Sequence, residues 1–303
     1  MRLFFLAFLI AMTVSANLLR SHDKLLSHRG RGFGYPEATL EAVRQSLKSG
    51  IRYLELDTRV DSDKVIYCYH HSRLLTWTGL PLLRDLAGDV VAREGILRLD
   101  EALDAVAKVI APDQRLCLDI KDCGFEQDHV DLVEHYDLAG NTVFISWIPQ
   151  TLQRLHEISS IFPLILGHIN LQFLRIGSDL VERLIGEREL RLFDFILLGP
   201  RSLTRTMAHT VGFQHGLLCA ELPEPYIRLL QDSGGGICVP HICLCDRLDA
   251  WCVSHHLRQW VFTVNNETRY GQLVDRKAID VVFTDDPIGI ALRYVPCHVS
   301  SGQ

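Results

Sequence analysis

Between Leu25 and His71 the chain carries His28 and Arg29, then Glu55 and Asp57, then His70 and His71. Glu55 and Asp57 alternate with Leu54 and Leu56. Two acids at that spacing share one face of a strand, about 6.6 Å apart along it. Carboxylates so placed repel each other unless positive charge lies between them. Histidine titrates near neutral pH, so a pair can divide the giving and taking of a proton. An arginine fork beside them is suited to holding an anion through two parallel hydrogen bonds.

These side chains are positioned by a short run of elements. Lys24 to Ser27 is apolar and stops at His28-Arg29-Gly30, with further glycines at 32 and 34, so a strand ends in a loop. Thr39 precedes Leu40, Val43 and Leu47, and Gly50 follows, which predicts one helix of about three turns. Strand, helix and strand in that order form a parallel unit, which brings His28 and the Glu55/Asp57 pair to the same end. A turn at Asp61-Ser62-Asp63-Lys64 leads back through VIYCYHH. Neighbouring strand residues face opposite ways, so only one of His70 and His71 points at the acids. In RLCLDIK, Asp119 and Lys121 share a face by the same rule.

The stretch resembles the glycerophosphodiester phosphodiesterase family. The matching residues are His28-Arg29-Gly30, Pro36-Glu37-Ala38-Thr39, Glu55-Leu56-Asp57 and His70-His71, then Asp119-Ile120-Lys121, Ser146-Trp147, Phe262-Thr263-Val264-Asn265 and Thr284-Asp285-Asp286-Pro287, in the family's order. The resemblance implies that His28 and His70 form an acid–base pair. Four positions depart from its pattern. Ala38 stands for asparagine, His71 for aspartate, Asp119 for glutamate and Phe262 for tryptophan. Asp119 keeps the charge on a shorter arm, whereas Ala38 and His71 lose polar groups. These departures point to an altered substrate range.

A phosphodiester resists attack because its anionic oxygens repel nucleophiles. Its cleavage calls for a cation on a non-bridging oxygen and an acid for the leaving alkoxide. Glu55, Asp57 and Asp119 are hard oxygen ligands, suited to Mg2+ or Ca2+. The competing explanation for them is ion pairing with Arg29, Arg59 or Lys121. Arg29 and Lys121 supply positive charge for a phosphate, and Glu37, Asn265 and Asp285 orient the groups that touch it. The attacking oxygen is water or a hydroxyl of a glycerol headgroup.

The 303 residues are 48% hydrophobic and 22% charged, enough for one barrel-sized core. The net charge of −6 offers no general attraction for nucleic acid. Later strand candidates TVFISW, PLILGHI, WVFTVN and DVVFTD are each followed by a helical segment, so an α/β fold with a parallel sheet is expected. The strand count fits a (β/α)8 TIM-type barrel with its site at the strands' carboxyl ends better than an open doubly wound sheet. The sixth strand is contested by FDFILLG, GLLCAEL and ICVPHI.

Residues 1–19 are apolar behind Arg2 and read as a secretory signal or a membrane anchor, which places the protein in a secreted or membrane-associated setting. The barrel is expected over 24–295 and a flexible tail over 296–303. The odd count of nine cysteines gives no framework. Cys238, His241, Cys243 and Cys245 lack the paired spacing of a zinc site, and the three cysteines read as buried strand cysteines. Trp77, Leu80, Leu82 and Leu83 either form a lip for acyl chains or pack on the barrel.

The expected function is therefore metal-dependent hydrolysis of a glycerophosphodiester, or of a related phospholipid or lysophospholipid headgroup bond as a phospholipase C or D. The substrate would be met in solution or at a membrane surface. The alternative is a barrel that binds phosphodiesters with little or no turnover.

Overall fold

The computed structural model describes residue 19 and residues 21–76, 79–167, 222–241 and 244–294. Almost all of the N-terminal apolar segment, the tail at 296–303, the strand candidate FDFILLG, most of GLLCAEL, Trp77 and Cys243 lie outside the described residues.

Eight parallel strands close into a barrel: β1 (Leu25–Ser27), β2 (Tyr53–Val60), β4 (Arg115–Ile120), β5 (Thr142–Ser146), β6 (Leu164–Gly167), β7 (Gly236–Pro240), β8 (Arg258–Phe262) and β9 (Ile279–Thr284). The ring closes because β1 pairs with both β2 and β9. The contested sixth strand is ICVP, which pairs in parallel with β6 on one side and β8 on the other. A ninth strand, β3 (Ile66–Cys68), runs antiparallel to the end of β2 and lies outside the ring.

Helices follow the strands as the sequence pattern requires: α1 (Leu40–Lys48), α2 (Gly88–Arg93), α3 (Leu99–Ala107), α4 (Glu126–His135), α5 (Pro149–Ile158), α6 (Glu224–Asp232), α7 (Asp246–Ser254), α8 (Glu267–Val274) and α9 (Pro287–Arg293). Thr39 caps α1 by accepting from the Ala42 N–H at 3.3 Å. Arg98 is the N-cap of α3, and its N–H donates to Glu101 Oε2 at 3.3 Å.

The strands are buried on both faces, so period-two alternation sorts apolar residues between two cores. Leu54, Leu56, Leu116 and Leu118 pack outward against the helices. Each such side chain contributes about 1.5–3 kcal/mol on leaving water. Tyr53, Cys117, Ile145, Cys238, Trp260 and Phe283 belong to the group that fills the barrel. Cys68, Cys117 and Cys238 are buried free thiols on strands, as expected, and Cys252 is buried on α7; Cys245, expected on a strand, is instead the half-buried N-cap of α7, and Cys123 is exposed. Leu83 packs with Tyr67, Leu74 and Val91, whereas Leu75 and Leu80 are exposed, so the 71–95 excursion is partly core and partly surface. Among the described residues no helix is long and apolar enough to cross a membrane.

His129 on α4 ties that helix to β2. Its Nδ1–H donates to the Phe125 carbonyl at 2.7 Å, which leaves Nε2 to accept from the Thr58 hydroxyl at 2.9 Å. Complete burial lowers its pKa and keeps the ring neutral. The unfolded chain takes up this proton near pH 6.5 and the folded chain only at lower pH, so the stabilisation is full above about 6.5 and is lost as pH falls below it. Urea unfolding should show stability decreasing from pH 7 to pH 5. The decrease should be smaller in His129→Gln; an equal decrease would remove His129 from the account.

Candidate active site

At the carboxyl end of β2, Asp57 lies directly across the ladder from Asp119 on β4, and Glu55 lies opposite Cys117. Strand register therefore brings three acids together from two neighbouring strands. One oxygen of each lies within 4.8 Å of those of the other two, and all three residues are buried. They are the one such group of metal-ligating side chains among the described residues.

Two cations thread this acid cluster. Arg29 Nε lies 2.6 Å from Asp57 Oδ2, and Lys121 Nζ lies 2.9 Å from Asp57 Oδ1 and 2.5 Å from Asp119 Oδ2. Burial alone would push the Asp57 carboxyl up, but Lys121 and Arg29 together outweigh it and hold the group well below the usual carboxylate range. Glu55 goes the other way, raised well above that range by burial and by the charge on Asp57. Burial also raises Asp119, against the pull of Lys121. The ion pairing anticipated for the acids is thus present with Arg29 and Lys121, while Arg59 pairs with Asp122 instead.

The residues fit a hard divalent cation. Three carboxylates face two positive side chains, which leaves one negative charge uncompensated. Asp119 Oδ1 is buried without a hydrogen-bond partner. A cation among these oxygens would relieve the repulsion that raises Glu55 and would engage that orphaned atom.

His28 follows β1 in a single 3-10 turn, with Arg29 in the left-handed region at φ 55° and Gly30 at φ 70°. This unusual backbone turns the Arg29 N–H onto Glu55 Oε2 at 3.0 Å, so the histidine loop is fastened to the acid cluster. His28 Nδ1 contacts Asp285 Oδ1 at 2.8 Å, and Nε2 lies 4.0 Å from Glu55 Oε2. A carboxylate only accepts, so Nδ1 carries the proton and Nε2 faces the pocket. Burial lowers the His28 pKa although Asp285 opposes the shift, and the same contact drives the Asp285 carboxyl strongly down. Asn265 completes the support, donating to Asp285 Oδ2 at 2.9 Å and accepting from the Asp285 N–H at 2.8 Å.

His28, Arg29, Glu55, Asp57, His70, Asp119 and Lys121 all line one cavity of about 80 Å³. The space is small, enough for a few water-sized groups. Of the histidine pair it is His70 that lines this cavity, while His71 sits edge-on to the Tyr69 and His70 rings. Burial holds the His70 pKa well below its ordinary value. Trp147, Phe262 and Phe283 form part of the wall, and the Trp147 and Phe262 rings meet edge to face at 5.6 Å. Lys121 also borders a larger cavity of about 800 Å³, whose walls include Leu82, Phe125 and Ile148.

Sequence reasoning missed Arg31, whose guanidinium bridges Glu37 and Asp285, the latter at 3.1 Å. Its position two residues after Arg29, in the same glycine-rich loop, was the available signal. Asp122 was missed too, although it directly follows Asp119-Ile120-Lys121.

Residues 28–114 match the family described as the glycerophosphoryl diester phosphodiesterase family. The chain is 27% identical over 132 residues to the Mycobacterium tuberculosis protein named probable glycerophosphodiester phosphodiesterase 2, covering 43% of this chain and 50% of that one. The chain thus matches about half the length of this curated relative. Among solved structures, an Oleispira antarctica phosphodiesterase in complex with the product sn-glycerol-3-phosphate superposes with a TM-score of 0.56 at 19% identity, covering 89% of this chain and 96% of that one. A Thermotoga maritima glycerophosphodiester phosphodiesterase gives a TM-score of 0.55 at 18% identity, with 89% and 98% covered. At these identities the structural likeness establishes the barrel fold.

A cation that binds the folded chain alone raises its melting temperature by mass action, equivalent to about 2.7 kcal/mol at a hundredfold excess over Kd. Millimolar Mg2+ or Ca2+ should therefore raise the melting temperature of the wild type and raise that of Glu55→Gln or Asp119→Asn less. Equal responses in all three proteins would remove these carboxylates as ligands.

Proposed function

We propose that this chain, which belongs to the glycerophosphodiester phosphodiesterase family through residues 28–114, hydrolyses glycerophosphodiesters with His28 and His70 as its acid–base pair and with a divalent cation at Glu55, Asp57 and Asp119. The observation that carries this reading is the one cavity on which both histidines, all three acids, Arg29 and Lys121 converge.

A divalent cation held there would supply Lewis-acid stabilisation of a non-bridging phosphate oxygen. Mg2+ and Ca2+ are both consistent with an all-oxygen donor set. With the cation present, the cluster and its two basic side chains carry one net positive charge, which matches the single negative charge of a phosphodiester. Arg29 and Lys121 hold the acids in place and extend the positive field over the phosphate. His28 keeps a fixed tautomer through Asp285, so Nε2 is free to accept or deliver a proton on the cavity side. His70, half-buried and kept neutral by desolvation, serves as its counterpart. The pocket's small volume suits the phosphate and its immediate substituents, and the larger cavity beyond Lys121 accommodates the remaining alcohol. Exposed Leu75 and Leu80 favour extending the substrate range to lysophospholipids, whose headgroup bond would break as in a phospholipase C or D. The apolar N-terminal residues favour a secreted or membrane-associated location.

Purified protein incubated with glycerophosphocholine and a lysophospholipid, with products identified by mass spectrometry, tests the assignment. His28→Ala and His70→Ala should each lower turnover by about 10²–10⁴-fold with the fold retained, the usual contribution of a positioned acid or base. His71→Ala should change turnover by less than about threefold, because its side chain does not line the cavity. Loss of turnover in His71→Ala with His70→Ala active would reverse the assignment.

A further inference from the structure

The two histidines of the cavity are held in different ways. His28 has Asp285 on its Nδ1. The Nδ1 of His70 is buried and has no hydrogen-bond partner among the described residues, so no side chain fixes the ring through that atom. Its place therefore depends on its backbone and on the His71 ring packed edge-on against it. The β2–β3 ladder ends with Thr58 opposite Cys68, two residues short of His70. Beyond it, the Tyr69 N–H donates to the Asp57 carbonyl at 3.0 Å. The next tie comes from Arg59, whose Nε–H donates to the His70 carbonyl at 3.1 Å.

The same guanidinium makes two further contacts. Through NH1 it reaches the Lys121 carbonyl at 3.4 Å and Asp122 Oδ1 at 2.8 Å. Asp122 is itself anchored, because its Oδ2 accepts the Val60 N–H at 3.0 Å. One planar cation thus joins the backbone of the segment bearing His70 to that of the segment bearing Lys121, and Asp122 balances its charge. The fixed fork of an arginine suits this task, since its donors diverge at set angles, whereas a lysine ammonium is a single point on a flexible stem.

We infer that Arg59, braced by Asp122, is a positioning residue that sets where the His70 ring stands relative to the acid cluster. It acts through main-chain carbonyls; it does not line the small cavity where the histidines and acids meet, although it borders the larger one. The inference rests on the proposed role of His70 but has a readout independent of turnover. Displacing a catalytic group by about 1 Å can cost about a hundredfold in rate. Loss of Arg59 should therefore act mainly on kcat, with a smaller effect on KM through the larger cavity that it borders.

The experiment compares wild type, Arg59→Gln, Arg59→Lys and Asp122→Asn, each checked for its folded fraction at the assay temperature. Kinetics use glycerophosphocholine, and spectra use protein carrying 13C-labelled histidine rings. The His70 and His28 signals are identified by their disappearance in His70→Gln and His28→Gln. Arg59→Gln is expected to lose about 10–100-fold in kcat, with a smaller change in KM. Its His70 ring signal should shift or broaden while that of His28 stays in place. Arg59→Lys should restore neither property, and Asp122→Asn should show a smaller loss of the same kind. An unmoved His70 signal in folded Arg59→Gln overturns the inference whatever the kinetics, as does full restoration by lysine. If the wild type turns over no glycerophosphodiester, the functional reading fails, and the ring signal still decides the role of Arg59.

Discussion

The barrel's carboxyl end is governed by the cost of burying like charges. Glu55, Asp57 and Asp119 are packed together beneath the surface. Isolated buried carboxylates cannot stay ionised, so their surroundings must supply positive charge or the groups take up protons. The chain supplies Arg29 and Lys121; both contact Asp57, and Lys121 also contacts Asp119. That leaves one of three negative charges uncompensated, Glu55 raised by burial and by Asp57, and Asp119 Oδ1 without a partner, a set of oxygens that fits a hard cation. The geometry around the acids follows from the same need. The His28 loop is pinned by the Arg29 N–H on Glu55, and Lys121 extends from the end of β4 to lie between two aspartates.

Much of this was legible in the sequence because strand geometry is periodic. The two-residue spacing of Glu55 and Asp57, and of Asp119 and Lys121, gives shared faces without knowledge of the fold. The glycines after His28 give the strand end. Closure of the ring was legible only as a strand count, because pairing of β1 with β9 joins residues from the two ends of the barrel and has no local signal. The sixth strand could not be chosen from pattern alone, since three apolar runs of similar length compete. Among the described residues ICVP has a neighbour on each side in register. The supporting residues were harder to find. Asp285 and Asn265 lie far along the chain from His28, so their contacts come from the closed ring and not from spacing.

The departures from the family pattern take on physical meaning in the structure. Ala38 adopts φ 51°, a left-handed conformation that asparagine accepts more readily than alanine. Its N–H still donates to the Arg29 carbonyl at 2.9 Å, so the backbone of the loop keeps its tie without the polar side chain. His71 meets aromatic rings where an aspartate would place a charge, consistent with the main-chain support found beside His70. Phe262 retains an aromatic wall against Trp147. The shorter Asp119 remains within reach of the other two acids because it lies directly across the ladder from Asp57.

The central claim is that the three carboxylates form one cation site. Its most direct test is a crystal structure of the protein soaked in Mn2+, with data collected for anomalous scattering. The account predicts a single strong peak within about 2.0–2.6 Å of an oxygen from each of Glu55, Asp57 and Asp119. A map with no peak there, or with the ion bound elsewhere while Lys121 keeps both of its aspartate contacts, would contradict it.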